Sequence, residues 1–175
     1  MGQSTHPGSS AAPRTHVGRW LRAAMLGQRE LRDRLLLTLN GGSKGWNDDE
    51  PAVVEVAAEL VLRRYFGPDE TSPEDITWLA QLVSASMAQD ERPLDERQAE
   101  TVIRSALGEE RSALEALLAV DRFRLRGIVA SLASLKMELH AAEVDALLRE
   151  AERVAFERGW HPQLVPRSRS GAQRH

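Results

Sequence analysis

The fold class is decided by the stretch from 52 to 66, which reads AVVEVAAELVLRRYF. Its valines favour a strand, because β-branched residues pack well on a pleated surface. The polar residues Glu55, Glu59 and Arg63, however, recur at every fourth position, which is the repeat of one helical face. A half-buried strand alternates at every second position instead. We therefore predict a helix that is buried on most of its circumference.

Signals for the start of a helix precede two of the predicted helices. Residues 47–51 read NDDEP, in which acidic groups can satisfy free N–H groups and the proline stands where no N–H donor is needed. Residues 72–75 read SPED and repeat the pattern. Apolar positions at helical spacing predict helices over about 18–39, 52–66, 73–88, 93–107 and 141–158, with one or two more between 109 and 135.

These elements predict an all-α fold, either a compact bundle of six to seven helices or an irregular helical globule. For the second half of the chain, the residues expected to face the core are Ala99, Val102, Ile103, Ala106, Ala113, Leu114, Leu117, Leu118, Leu125, Ile128, Val129, Leu132, Leu135, Val144, Leu148, Ala151 and Ala155.

The length of 175 residues fits one domain. Residues 1–15 and 161–175 are polar and poor in large apolar side chains, so they cannot bury enough surface to order themselves. We therefore predict a globular domain over 16–160 between two disordered tails, of which the C-terminal tail is basic.

The composition excludes several classes of protein. The absence of cysteine excludes disulfide scaffolds, Cys-ligated metal sites and thiol catalysis. No apolar run approaches the roughly 20 residues that span a bilayer, and no secretory signal pattern occurs near residue 1. We expect a cytoplasmic protein that does not enter a membrane, and the abundance of Ala, Arg and Leu suggests a bacterial source.

The sequence lacks the residue patterns of common catalytic and metal sites. Residues 40–45 are glycine-rich, but Ser precedes Lys and the preceding segment is helical, unlike a phosphate-binding loop. His140 lies one helical turn from Glu143, so the two side chains could share a face. We interpret His140 as a polar residue at the start of a helix rather than as part of a site. We expect no metal and no cofactor. We lean against an enzyme, although carboxylates from separate helices could converge.

The helix over 73–88 has apolar residues on two sides. Its main apolar face is formed by Ile76, Ala80, Val83 and Met87, and the opposite side carries Trp78, Leu82 and Ala85. Such a helix is either central in the fold or part of a contact surface. In the second case Trp78, Leu82 and Ala85 are the candidate interface with a protein partner or a second copy of the chain.

Charge is distributed unevenly along the chain. Residues 1–46 carry seven Lys and Arg against two Asp and Glu, whereas residues 47–121 carry six against eighteen. Arg19, Arg22 and Arg29 lie away from the apolar arc of the first predicted helix and could contact an anion or a nucleic acid. Alternatively, the basic ends only offset the acidic middle of the same chain.

Three functional hypotheses follow. The first is a non-catalytic, cytoplasmic, helical interaction or regulatory protein that binds a protein partner or forms a homodimer. The second is a nucleic-acid or nucleoid-associated factor that uses the basic first helix and the basic C-terminal tail. The third is an enzyme or small-ligand receptor with a pocket between helices.

Overall fold

The computed structural model describes residues 11–41, 48–68, 71–109 and 111–166. Within these ranges the chain forms eight α-helices and no strand, which confirms the all-α prediction. The helices are α1 (His16–Met25), α2 (Arg29–Gly41), α3 (Glu50–Phe66), α4 (Pro73–Ser86), α5 (Glu96–Ala106), α6 (Arg111–Glu115), α7 (Ala119–Lys136) and α8 (Ala141–Glu157).

Helix α3, which contains the stretch from 52 to 66, is buried on most of its circumference as predicted. It packs mainly on α7 and α8, and also contacts α1 and α5. Its fully buried side chains include Val53, Val54, Ala57, Val61 and Leu62. The helix begins after Asp49, with Pro51 in its first turn.

Two apolar clusters form the core, and they meet along α3 and α7. The first cluster joins α1, α3, α8 and the later part of α7, where Ala130 and Ala133 lie. The second joins α4, α5, the earlier part of α7 and Leu62 of α3. The predicted inward positions of α5 and α8 are buried in these clusters, from Ala99 to Ala106 and from Val144 to Ala155.

The helix predicted over 18–39 is two helices in the structure. Gly27 adopts a left-handed conformation with φ of 67°, which ends α1 and turns the chain back into α2. A side chain rarely adopts this conformation, so glycine suits the turn. The prediction of one continuous helix was wrong because the apolar spacing continues across the turn.

The region predicted to hold one or two helices between 109 and 135 holds two. Helix α6 has only five residues, and α7 begins at Ala119, with Asp121 in its first turn. Leu118, predicted to face the core, is 56% exposed, and Leu135 is 46% exposed. Both residues fit the helical spacing but lie where no neighbouring helix covers them.

The segment that precedes α1 is held by a buried carboxylate of α8. The backbone N–H groups of Arg14 and Thr15 both donate to Oε1 of Glu152, at 2.7 Å each. The Thr15 hydroxyl accepts a hydrogen bond from the N–H of Gly18 and caps α1. Arg14 and Thr15, which lie within the predicted N-terminal tail, thus bond to α8.

The segment that follows α8 is held in a similar way by α3. The N–H of Gln163 donates to Oε1 of the buried Glu50 at 2.9 Å, and the N–H of His161 donates to Oδ2 of Asp49 at 2.8 Å. The acidic residues predicted to favour the N-terminus of α3 thus also bind a segment more than a hundred positions away. Burial raises the pKa of Glu50, and the charge of Asp49 raises it further.

The two segments meet each other beside the N-terminus of α1. The N–H of His16 donates to the carbonyl of Gln163 at 3.0 Å, and the N–H of Val165 donates to that of Arg14 at 2.8 Å. Thr15 and Leu164 form an isolated antiparallel bridge. The rest of the predicted tails, residues 1–10 and 167–175, lies outside the described residues.

We expect that deleting residues 162–175 lowers the melting temperature by several degrees. The deletion leaves the buried Glu50 without the Gln163 donor, which costs about 1–3 kcal/mol, and each kcal/mol shifts the midpoint by about 2–4 °C in a domain of this size. Thermal unfolding followed by circular dichroism measures the effect. Deletion of 167–175 alone is the control, and equal midpoints for the two truncations would contradict the prediction.

Buried Glu50 also predicts a pH dependence of stability. Because its pKa is raised in the folded state, its stabilising contribution is full below the unfolded pKa of about 4.3 and is lost as the pH rises through the raised pKa. Glu50→Gln keeps an acceptor oxygen and cannot ionise, so this variant should gain stability relative to the native chain between about pH 4 and pH 7. Urea unfolding at several pH values checks this, and a difference independent of pH would refute it.

Candidate binding groove

A groove of about 580 Å³ runs along α7, between α2 and the end of α4. Its volume falls within the range of about 300–1,000 Å³ that is usual for binding sites. The floor is Trp20 of α1 together with a stripe of α7 at helical spacing: Arg124, Gly127, Ile128, Ser131, Leu132 and Leu135. One wall is formed by α2 and the other by residues 86–90 at the end of α4.

The directions of the helices define two ends of the groove. At the Lys136 end, Leu135 lies beside the α1–α2 turn, since a Cβ atom on Gly27 would stand 3.6 Å from Leu135 Cδ2. Lys136 there places its Nζ atom 5.4 Å from the ring centre of Trp78 on α4. At the Arg124 end, Arg124 pairs with Asp90 at 3.0 Å. Helix α4 therefore runs antiparallel to α7.

The floor of the groove is fixed by aromatic packing. Trp20 is only 8% exposed and stacks on Phe123 with 5.2 Å between the ring centroids. Gly127 makes room for the Trp20 ring, because a Cβ atom at this position would lie 3.0 Å from Cη2. The indole Nε1 of Trp20 is buried and has no hydrogen-bond partner among the described residues.

The α2 wall carries apolar side chains that the chain does not fully cover. Helix α2 packs chiefly on α1, and none of its described side chains is classed as buried. Its leucines are Leu31, Leu35, Leu36, Leu37 and Leu39. Leu36 lines the groove, and Leu37 beside it is 72% exposed.

The outer face of α4 also carries apolar side chains. Trp78 is 46% exposed, Leu82 is half-buried and Ala85 is exposed, whereas Ile76 and Val83 on the opposite face are buried. The alternative in which Trp78 lies in the core is therefore wrong. The candidate interface residues lie on the outside, next to the groove wall at Ser86.

The charges around the groove are unequally paired. Arg32 pairs with Asp33 at 2.8 Å, and Arg124 pairs with Asp90, so both carboxylates of the lining have a cation. Arg29 lines the groove without an ion pair among the described residues, and Lys136, which is not part of the lining, lies over the Trp78 ring. The lining thus carries three arginines and two aspartates.

The three arginines predicted to contact an anion do not act alike in the structure. Arg22 is engaged by Asp145 of α8, with 3.2 Å between Nη2 and Oδ2, and this hydrogen-bonded pairing raises the pKa of Arg22. Arg19 is exposed and donates from Nε to the carbonyl of Pro13 at 3.3 Å. Arg29 lies on α2, beyond the turn. The basic residues of the predicted C-terminal tail lie outside the described residues.

A second cavity of about 410 Å³ lies on the other side of Phe123. Its charged lining includes Glu55 and Glu59 of α3 and Arg122 and Arg126 of α7. Burial lowers the pKa of Arg126, and its ion pair with Glu55 at 2.9 Å opposes this shift. This cavity contains opposite charges that already neutralise each other in part.

Other candidate sites have simpler structural roles. The N–H of His140 donates to Oε2 of Glu143 at 3.0 Å at the start of α8, in agreement with a polar helix start. The described part of the chain contains no group of three or more His, Asp or Glu side chains placed to hold a metal ion. Among its helices, none has the length and apolar character needed to cross a membrane.

Comparisons of the chain with protein-family models, with curated proteins and with solved structures found no match. Function is therefore inferred from the groove. The sequence pattern singled out Trp78 on the outer face of α4, which is not part of the groove lining, and the groove itself was not predicted because α1 and α2 were taken as one helix. Gly27 is the residue that could have indicated the turn.

The two tryptophans beside the groove are expected to differ sharply in their effect on stability. Trp20→Ala removes a buried, stacked ring and should lower the free energy of unfolding by about 3–5 kcal/mol. Trp78→Ala removes a half-exposed ring from the surface and should lower it by less than about 1 kcal/mol. Denaturant unfolding of both variants measures this, and equal losses would mean that Trp78 is a core residue after all.

Proposed function

We propose that the chain is a helical protein-interaction module, and that the groove together with the outer face of α4 binds an apolar segment of a protein partner. The observation that supports this is the set of exposed apolar side chains on the helices of the groove: Leu135 in the lining is 46% exposed, and Trp78 on α4 and Leu37 on α2 are 46% and 72% exposed. Exposed apolar patches mark interaction sites in proteins that otherwise bury such residues.

The groove has the features that an interface core requires. Its floor is closely packed, because the Trp20 ring stacks on Phe123 and lies directly against Gly127. A half-exposed tryptophan at its edge is the residue type most often found as an energetic anchor in interfaces. Charged residues stand around the apolar centre, as they do at the rim of most protein interfaces.

The nucleic-acid hypothesis has less support. Arg22 is occupied by Asp145, and Arg29 is separated from Arg19 by the α1–α2 turn. An enzyme would need convergent catalytic groups, and in the second cavity Arg126 is paired with Glu55 and Glu59 with Arg158. The proposal extends to a regulatory role in the bacterial cytoplasm, which is inferred from the sequence composition alone.

Affinity capture from the native cell tests this proposed function. The double variant Leu37→Ser/Leu135→Ser should recover at least tenfold less of the partner than the native chain, because both apolar side chains leave the surface. The matched control is Trp160→Ser/Leu164→Ser, which removes two comparably exposed apolar side chains from the segment after α8. A partner that both double variants retain equally would refute the groove as the binding site.

A further inference from the structure

The turn between α1 and α2 interrupts a sequence that is otherwise suited to one continuous helix. From Arg22 to Arg32 every residue except Gly27 is a strong helix former. On a straight helix the main apolar residues of both segments would fall within an arc of about 100°. They are Val17, Trp20, Leu21, Ala24, Leu31, Leu35 and Leu39. The same residues are therefore suited to two arrangements, a hairpin and a straight helix.

Only three residues separate the two helices, and one of them holds the turn. Of the three, only Gly27 has a positive φ, at 67°, whereas Leu26 has φ of −93°. The N–H of Gln28 donates to the carbonyl of Ala23 at 2.8 Å, and in a straight helix it would donate to that of Ala24. A local change of backbone conformation thus converts the hairpin into a straight helix without loss of hydrogen bonds.

The partners of α1 in the core belong to helices that follow α2. Trp20 stacks on Phe123 of α7, and Arg22 forms an ion pair with Asp145 of α8. Val17 is fully buried in the cluster that α1 shares with α3, α7 and α8. A second copy of the chain carries each of these partners in the same arrangement, so it offers α1 the same binding site.

Helix α2 is held loosely enough to adjust to a new direction of the chain. It packs chiefly on α1, and none of its described side chains is classed as buried. After an exchange of α1 between two copies, each α2 would pack on α1 of the other copy in the same way. Because both forms have the same core contacts, the turn and the protein concentration decide between them.

We propose that the chain forms a dimer in which two copies exchange α1, with residues 16–41 of each copy as one continuous helix. Exchange of an identical element is a route to a dimer that needs no new surface. Where the two straight helices pass each other, residues 25–30 carry one arginine and one glutamate in each copy, Arg29 and Glu30, so no net charge is brought together. Trp20 in the floor of each groove then comes from the other copy. The inference does not depend on what the groove binds.

Gly27→Ala tests the exchange. In the left-handed conformation of the hairpin an alanine is disfavoured about 5- to 30-fold, whereas in a straight helix it is favoured over glycine. Because a dimer contains two such positions, we expect its dissociation constant to fall at least twentyfold relative to the native chain. The full chain is refolded from urea at a series of concentrations, and size-exclusion chromatography with light scattering measures the dimer.

Two control variants separate the exchange from simple strain. Gly27→Asn should form much less dimer than Gly27→Ala, because asparagine tolerates the left-handed conformation and is a weaker helix former. Gly159 has φ of 87° and open space around an added Cβ, so Gly159→Ala imposes a similar strain where no described helix follows. This variant should keep the oligomeric state of the native chain.

Complementary charge reversal distinguishes exchange from a dimer that forms through an outer surface. In the Gly27→Ala background, Arg22→Asp places two acids against each other, and Asp145→Arg places two arginines against each other. When these two variants are refolded together, only an exchanged mixed dimer pairs opposite charges at both sites. We expect mixed dimers to be at least tenfold more abundant than either homodimer in native mass spectrometry. The control carries both reversals in one chain and should show no preference for mixed dimers with itself under a second tag.

Three results would overturn the inference. They are a Gly27→Ala chain that dimerises no more than the native chain, equal dimerisation by Gly159→Ala, and mixed dimers that do not exceed their statistical share. A dimer without pairing preference that Leu37→Ser abolishes would assign the contact to the outer face of α2. Circular dichroism verifies the fold of each variant. If Gly27→Ala does not fold, the charge-reversal mixture in the native background decides, and the absence of mixed dimers there refutes the exchange.

Discussion

The packing of α3 on α7 is the contact on which the rest of the structure depends. The two apolar clusters would be separate small cores without it, because α1 and α8 contribute to one cluster and α4 and α5 to the other. Both helices have apolar residues on more than one side, so each can serve two clusters at once. The groove exists because α7 also has a third side, from Arg124 to Leu135, that none of the other described helices fully covers.

The sequence was sufficient to predict the helices whose apolar residues form a single stripe. Helix α8 has one stripe and a polar remainder, so its periodicity indicated both its extent and its buried face. The prediction of a single helix was wrong at Gly27, because the apolar spacing continues through the turn between α1 and α2. The predicted burial of Leu118 and Leu135 was also wrong, because spacing shows which side of a helix is apolar but not whether a neighbouring helix covers that side.

The candidate site was predictable only in part for a related reason. The two-sided pattern of α4 placed Trp78 on a separate face, and the structure was needed to show that this face points outward. The groove floor combines Trp20 with residues of α7, and no local pattern connects segments a hundred positions apart. The same holds for Glu50, whose acidic neighbours predicted a helix start correctly while its hydrogen bond to Gln163 depends on the tertiary fold.

The bridge between the two ends of the domain has a consequence for the order of folding. Thr15 and Leu164 are joined by a chain of about 150 residues, and closing so long a loop has a large entropic cost until the helices between them have packed. The bridge is therefore a late event rather than a nucleus. On the ribosome, where the N-terminal part is made first, Glu50 gains the Gln163 donor only after Gln163 itself has been synthesised, more than a hundred residues later.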